Sequence, residues 1–228
     1  MMKEVKTSLK GFLSLFIYLV SSVFFIYILS VFGIDYFKLS NNLQELSELI
    51  FEIILMFIII YIYKDTFIPD LKEFWKNKKE YLDKYFKYWI LLLVLMFTSN
   101  YLISMFTSQE IANNQKVINE TFVSFPIYSL ILTILVAPIL EELVFRLSFR
   151  KIFYRTDFLF IFFSGFIFGL MHVLGETTLS GLLYIIPYSI PGYIFAYLYL
   201  KSKNICVPIS IHMIHNTALM ILQIIALL

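Results

Sequence analysis

Cysteine is nearly missing from this chain: there is one in 228 residues, Cys206. A single thiol excludes an internal disulfide and any cysteine-based zinc site, and leaves Cys206 as a small apolar side chain for burial. Charge is scarce as well. Only 15% of the residues are Asp, Glu, Lys or Arg, against roughly 25% in an average soluble domain. The net charge of +2 gives no basic surface for nucleic acid. Internal repeats, low-complexity tracts and a soluble domain are all missing. The apolar runs lack the ten-residue alternation of a transmembrane barrel. The first run, residues 11–34, is too long for a signal-peptide core and no small-residue cleavage site follows it. It reads as a permanent span.

What is abundant is apolar surface. Hydrophobic residues make up 60% of the chain and aromatic ones 19%, with a mean hydropathy of +0.83. A water-soluble globule could not hide this much. Lipid must be part of the solvent, and there only helices or closed barrels satisfy every backbone group. The expected fold is therefore all-α, a polytopic transmembrane helical bundle filling residues 1–228 as a single membrane domain. Seven runs approach the length of about 20 residues that a span needs: 11–34, 49–63, 88–106, 125–149, 158–174, 181–200 and 207–228. The second is short and contains Glu52.

Basic residues orient this bundle. With the N-terminus in the cytoplasm, 16 of the 18 Lys and Arg residues fall on the inner side, leaving only Lys38 and Lys116 outside. The C-terminus then lies outside. The stretch 64–87, rich in Lys and aromatic residues, reads as an amphipathic segment along the inner headgroup layer. The Ile-, Phe- and Tyr-rich composition points to a bacterial cell membrane.

Polar residues inside spans carry the functional signal, because each costs roughly 2.5–3.5 kcal/mol at mid-span. The fourth span holds Glu141, Glu142 and Arg146. Glu142 and Arg146 are four apart and suit an in-helix ion pair. Glu141 points about 100° away and lacks such a partner, which suits a general base or acid. The bland alternative is that both carboxylates mark the end of the span. Pro138 breaks a backbone hydrogen bond one turn earlier. The fifth span carries Phe168 and, one turn on, His172; Gly165 and Gly169 allow close approach of a neighbouring helix. A lone His on an apolar helix is more often a packed core residue than a catalyst. In the last span His212 and Asn216 share a face, with His215 about 60° off it. A His with an Asn suits hydrogen bonding to a developing oxyanion, or simple polar adhesion between helices. With a turn at Thr156-Asp157, where Asp157 caps the next helix, Glu141 and His172 stand about equally far from it, roughly 22–24 Å. His212 lies roughly 13 Å below the inner surface. All three then converge in the cytoplasmic half of the bilayer.

Glu-Glu-x-x-x-Arg, then Phe-x-x-x-His, then His-x-x-x-Asn, in this order on three late helices, resembles the CPBP intramembrane proteases, the family of CAAX endopeptidases and bacteriocin-processing enzymes. The resemblance rests on Glu141, Glu142, Arg146, Phe168, His172, His212 and Asn216 and covers a core within residues 125–225. It implies a membrane endopeptidase acting on a membrane-associated or amphipathic peptide or protein near the cytoplasmic face. Glu141 and His172 would activate the attacking water, His212 and Asn216 would stabilise the tetrahedral intermediate, and Glu142 with Arg146 would hold the site together. Seven spans instead of eight and the extra His215 depart from the pattern. Two carboxylates and two histidines also suit zinc with an open position, with Glu141, His172 and His212 as its ligands. The zinc-helix signature His-Glu-x-x-His is absent, and a glutamate-based mechanism without an obligatory cofactor fits the same residues. Two rival readings stay open. One is a transporter or proton relay using Glu52, Glu141 and His172. The other is a non-catalytic immunity or regulatory scaffold of the same fold.

Overall fold

Long apolar runs with few breakers fold into long helices, and helices are all that the chain forms: no strand occurs among the described residues, which are 2–107 and 111–227 of a computed structural model. Helix α1 spans Met2–Val31, α2 Asn41–Phe106 and α3 Asn113–Ser124. Helix α4 is the continuous run Pro126–Ile152, α5 is Asp157–Met171, α6 the single turn Leu179–Leu182, α7 Ile185–Ser202 and α8 Cys206–Leu227. Five helical runs, α1, α2, α4, α6 continued by α7 (Leu179–Ser202), and α8, are long and apolar enough to cross a membrane, and α5 is a shorter apolar helix. The protein is an all-helical integral membrane protein.

Two of the seven expected spans, 49–63 and 88–106, lie in one 66-residue helix, α2. The stretch between them, read from sequence as an amphipathic segment, exposes all of its Lys side chains. It continues as helix and bends at Asn77, where φ −117° and ψ 21° leave the helical region. Lys, Glu and Leu are good helix formers, and the segment is held from inside: Phe67, Phe74 and Tyr85 are buried, and the Phe74 and Tyr81 rings stack across the bend. The cap of α5 also differs from expectation. Thr156, not Asp157, occupies the N-cap position; Asp157 is the first helical residue and pairs with Arg150 at 2.8 Å. α4 ends at Ile152, short of Arg155, and α5 ends at Met171, with His172 as its C-cap. The last expected span reaches Leu228, which lies outside the described residues.

Helices α5 and α7 pack at their glycines. A Cβ on Gly192 would sit 2.7 Å from the carbonyl oxygen of Gly165 and 2.8 Å from its Cα, so only hydrogen fits between these backbones. Gly169 faces the backbone of Ser189 in the same way. α7 then stops at Lys203, whose left-handed φ of 55° turns the chain back. Asn204 bonds the Asp70 carbonyl at 2.9 Å, and the Asp70 carboxylate accepts from the Ile205 amide at 2.8 Å, which pins the α7–α8 turn to α2.

Helix α4 is irregular where the sequence places Pro138. Residues Ile131–Val136 and Leu143–Ser148 are wound as π-helix on either side of Ala137–Glu142. Such π-turns are rare and concentrate at functional sites. Here they flank the two adjacent carboxylates.

Candidate active site

Beneath the site lies a buried ion pair. The Glu142 and Arg146 side chains are both 0% exposed. Arg146 Nε donates to Glu142 Oε2 at 2.7 Å and Nη2 to Oε1 at 3.1 Å, a two-pronged contact. The third edge of the guanidinium donates from Nη1 to Ser164 Oγ at 2.6 Å, and its plane lies against Phe168 at 5.1 Å and Phe195 at 5.9 Å. Such complete pairing is what makes two charges tolerable in a dry interior. Ser164 was not singled out from the sequence; a hydroxyl within an apolar helix was the available signal.

Glu142 is also what orients His212. Its Oε1 lies 3.1 Å from His212 Nδ1. A carboxylate only accepts, so Nδ1 carries the proton in this contact. The ring is stacked on Phe195 at 4.7 Å, and Nε2 is left facing Glu141 Oε2 at 3.9 Å. His172 is fixed by the same logic. Its Nδ1 donates to the Phe168 carbonyl at 2.8 Å, and its ring lies between Phe168 at 4.7 Å and Tyr188 at 4.9 Å. A backbone carbonyl cannot donate, so the neutral imidazole keeps its lone pair on Nε2.

Asn216 is held by an orphan of helix α4. The π-turn gives the Ala137 amide to the Leu132 carbonyl. The next π partner, for the Thr133 carbonyl, would be residue 138, which is proline and has no N–H. Asn216 Nδ2 supplies the missing donor at 2.8 Å. One amide hydrogen of Asn216 is thus committed, and the other is free.

These residues meet in one cavity of about 480 Å³. Glu141, His172, His212, His215 and Asn216 all line it, with Phe168 and Tyr188 among its aromatic walls. Glu142 and Arg146 do not; they sit behind it. A second cavity, of about 370 Å³, lies between α1, α2 and α4 and is lined by Tyr36, Glu48, Glu52 and Tyr128. Glu141 lines both. The half-buried Glu52 therefore reaches the neighbouring cavity rather than the one that holds the histidines. Among the described residues no three His, Cys, Asp or Glu side chains are gathered to hold a metal ion. The zinc set of Glu141, His172 and His212 thus shares a cavity without forming a ligand cluster.

Residues 123–218, the segment that brings Glu141, His172, His212 and Asn216 to this cavity, match the family described as type II CAAX prenyl endopeptidase, Rce1-like. A curated protein of Bacillus subtilis (strain 168), "Putative membrane peptidase YdiL", is 33% identical over 114 residues. That alignment covers 49% of this chain and 43% of the relative, so the chain spans less than half of the relative's length. No solved structure matches the chain significantly. Through the helices that carry Glu141, His172 and His212, the chain is similar to the Rce1-like CAAX endopeptidases over residues 123–218.

Proposed function

We propose that the protein is an intramembrane endopeptidase that hydrolyses a peptide bond by water activated on Glu141 and His172. The observation that carries this reading is the shared cavity. A carboxylate without an ion-pair partner on its own helix and an imidazole with a bare Nε2 face the same space, above a buried, fully paired Glu142–Arg146 base. The substrate is a membrane-associated or amphipathic peptide or protein, and its scissile bond lies in the half of the bilayer nearest the basic face.

Water held between Glu141 and His172 Nε2 loses a proton to Glu141 as its oxygen bonds to the scissile carbonyl carbon. The carbonyl oxygen becomes an oxyanion. The free hydrogen of Asn216 Nδ2 and, when protonated, His212 Nε2 are the available donors to it. Glu142 would stabilise that protonated imidazole through Nδ1. Glu141 then returns its proton to the amide nitrogen as the oxyanion re-forms the carbonyl and the C–N bond breaks, giving one new carboxylic acid and one new amine, which exchange a proton to become carboxylate and ammonium. Glu142 and Arg146 act by position and touch no reacting atom. The mechanism draws on these side chains and one water alone.

Glu141→Gln keeps the shape of the side chain and removes its basicity. Membrane peptidomics of cells carrying this variant should show loss of the cleavage products seen with the unsubstituted protein, while purified variant and parent unfold at the same temperature. Near-normal cleavage by purified Glu141→Gln would sink the mechanism and favour a scaffold.

A further inference from the structure

The large cavity is longer than the chemistry needs. From His212 it follows α8 past His215, Asn216, Leu219 and Met220 to Gln223. Eleven residues of helix are about 16 Å, the reach of about five residues of extended chain. Its opposite wall comes from Met96, Phe97 and Asn100 of α2 and from α3. This limb leads away from the ends of α4 and α7 that carry Arg150, Lys151, Lys201 and Lys203.

The lining of the limb is specific in kind. No Lys, Arg or Asp lines the cavity among the described residues, and its one carboxylate is Glu141, at the reactive end. Primary amides recur instead: Asn100, Asn114, Gln115, Asn216 and Gln223. Four of them spend a single donor on a neighbour: Asn100 on the Met96 carbonyl, Asn114 on the Tyr188 hydroxyl, Gln115 on Asn119 and Asn216 on the Thr133 carbonyl. Gln223 Nε2 is buried with no partner at all. His215 is 4% exposed, lines the cavity, and its Nδ1 has no partner either. Polar groups without partners are costly in a membrane interior, so simple adhesion between helices does not account for them. A carboxamide carries a donor and an acceptor, as a peptide group does. A row of amides along an extended path pairs with main chain whatever its side chains, while apolar neighbours such as Met96 and Leu219 exclude charge.

We propose that this limb is the binding subsite for an extended, uncharged peptide segment, read through its main chain by His215 and Gln223. The inference rests on the endopeptidase reading and adds the substrate class and two specificity residues. An internal stretch of the substrate fills the limb, because its lining offers no cation for a terminal carboxylate.

The probe is a fluorescein-labelled decapeptide of Leu, Ala and Thr with both termini capped, titrated by anisotropy into full-length Glu141→Gln protein in detergent micelles. Gln223→Leu and His215→Leu, each added to that protein, should weaken binding about tenfold. N-methylation of the peptide's backbone amides should weaken binding to the parent and cost little further in the double Leu variant. That coupling separates direct reading from a structural role. If His215→Leu does not fold, Gln223→Leu and the N-methylated peptide still decide the matter. Equal affinity for the N-methylated peptide, or for one with Lys at its centre, overturns the proposal. The unsubstituted protein, incubated with the same peptide and followed by mass spectrometry, tests the parent reading separately. Binding without cleavage overturns the peptidase and leaves the subsite. Cleavage with KM untouched by either Leu substitution overturns the subsite and leaves the peptidase. Neither binding nor cleavage overturns both.

Discussion

At the scale of single residues, the two adjacent carboxylates have separate fates. Glu142 is consumed by structure, bonded to Arg146 and His212 with no exposed surface. Glu141 faces two cavities. Removing Arg146 leaves the Glu142 charge uncompensated in a dry interior, at a cost of roughly 3–5 kcal/mol. Arg146→Ala should therefore lower the melting temperature in detergent and the yield of folded protein along with activity. Loss of activity at unchanged melting temperature would assign Arg146 to the chemistry instead. The Glu142–Arg146 pair was legible in the sequence, because a spacing of four closes an ion pair within one helix. The bond from Glu142 to His212 was not, since it joins residues 70 positions apart and depends on how α4 and α8 cross.

At the scale of elements, Pro138 and Asn216 form one device. The proline and the π-turn before it strip the Thr133 carbonyl of its donor, and Asn216 supplies a replacement from another helix. Returning the N–H should relax this dependence. Asn216→Ala alone should destabilise the protein by about 1–3 kcal/mol, the cost of an unmet buried carbonyl. In a Pro138→Ala background the same change should cost clearly less, as read by a double-mutant cycle of thermal unfolding. Equal costs in both backgrounds would mean the two residues are independent. From sequence, Pro138 announced a broken hydrogen bond but not where the orphan would find a partner. The 64–87 stretch shows the same limit. Its Lys and aromatic residues mark it as amphipathic, and its Lys side chains are exposed while Phe67, Phe74 and Tyr85 are buried; that it would continue α2 as one helix was not legible.

At the scale of the molecule, His172 and His212 sit in a cavity whose limb leads away from the basic face. The asymmetry of Lys and Arg sets the expected orientation, N-terminus inside and C-terminus outside. A reporter enzyme fused to the C-terminus should be active only in its extracytoplasmic form. Activity in the cytoplasmic form would invert the membrane or remove a span, most simply by keeping one arm of α2 out of the bilayer. Helix content and the order of the late helices were readable from the apolar runs. The length of α2 was not, because Pro69 and the charged stretch after it read as a break between its two apolar runs, whereas the helix continues through both and bends only at Asn77.

One contact reaches beyond the matched segment. Ser14 of α1, Tyr63 of α2 and Ser148 of α4 meet in a triangle of hydroxyls, at 2.5, 2.8 and 2.9 Å. At the same crossing Gly11 approaches the Ser148 backbone so closely that a Cβ would stand 2.7 Å from its oxygen. Ser148 lies within residues 123–218, whereas Ser14 and Tyr63 lie outside them. The matched segment is thus smaller than the unit of folding. A fragment comprising 123–218 would carry Glu141, His172, His212 and Asn216 yet show lipid an unpaired hydroxyl and the bare flank of α4. Expressed alone, it should be degraded. Co-expression with residues 1–107 should restore its accumulation, but not when those residues carry Ser14→Leu together with Tyr63→Phe. A graft of this candidate site into another membrane bundle would have to bring α1 and the first arm of α2 with it, although neither contains a residue of the motifs that carry the resemblance.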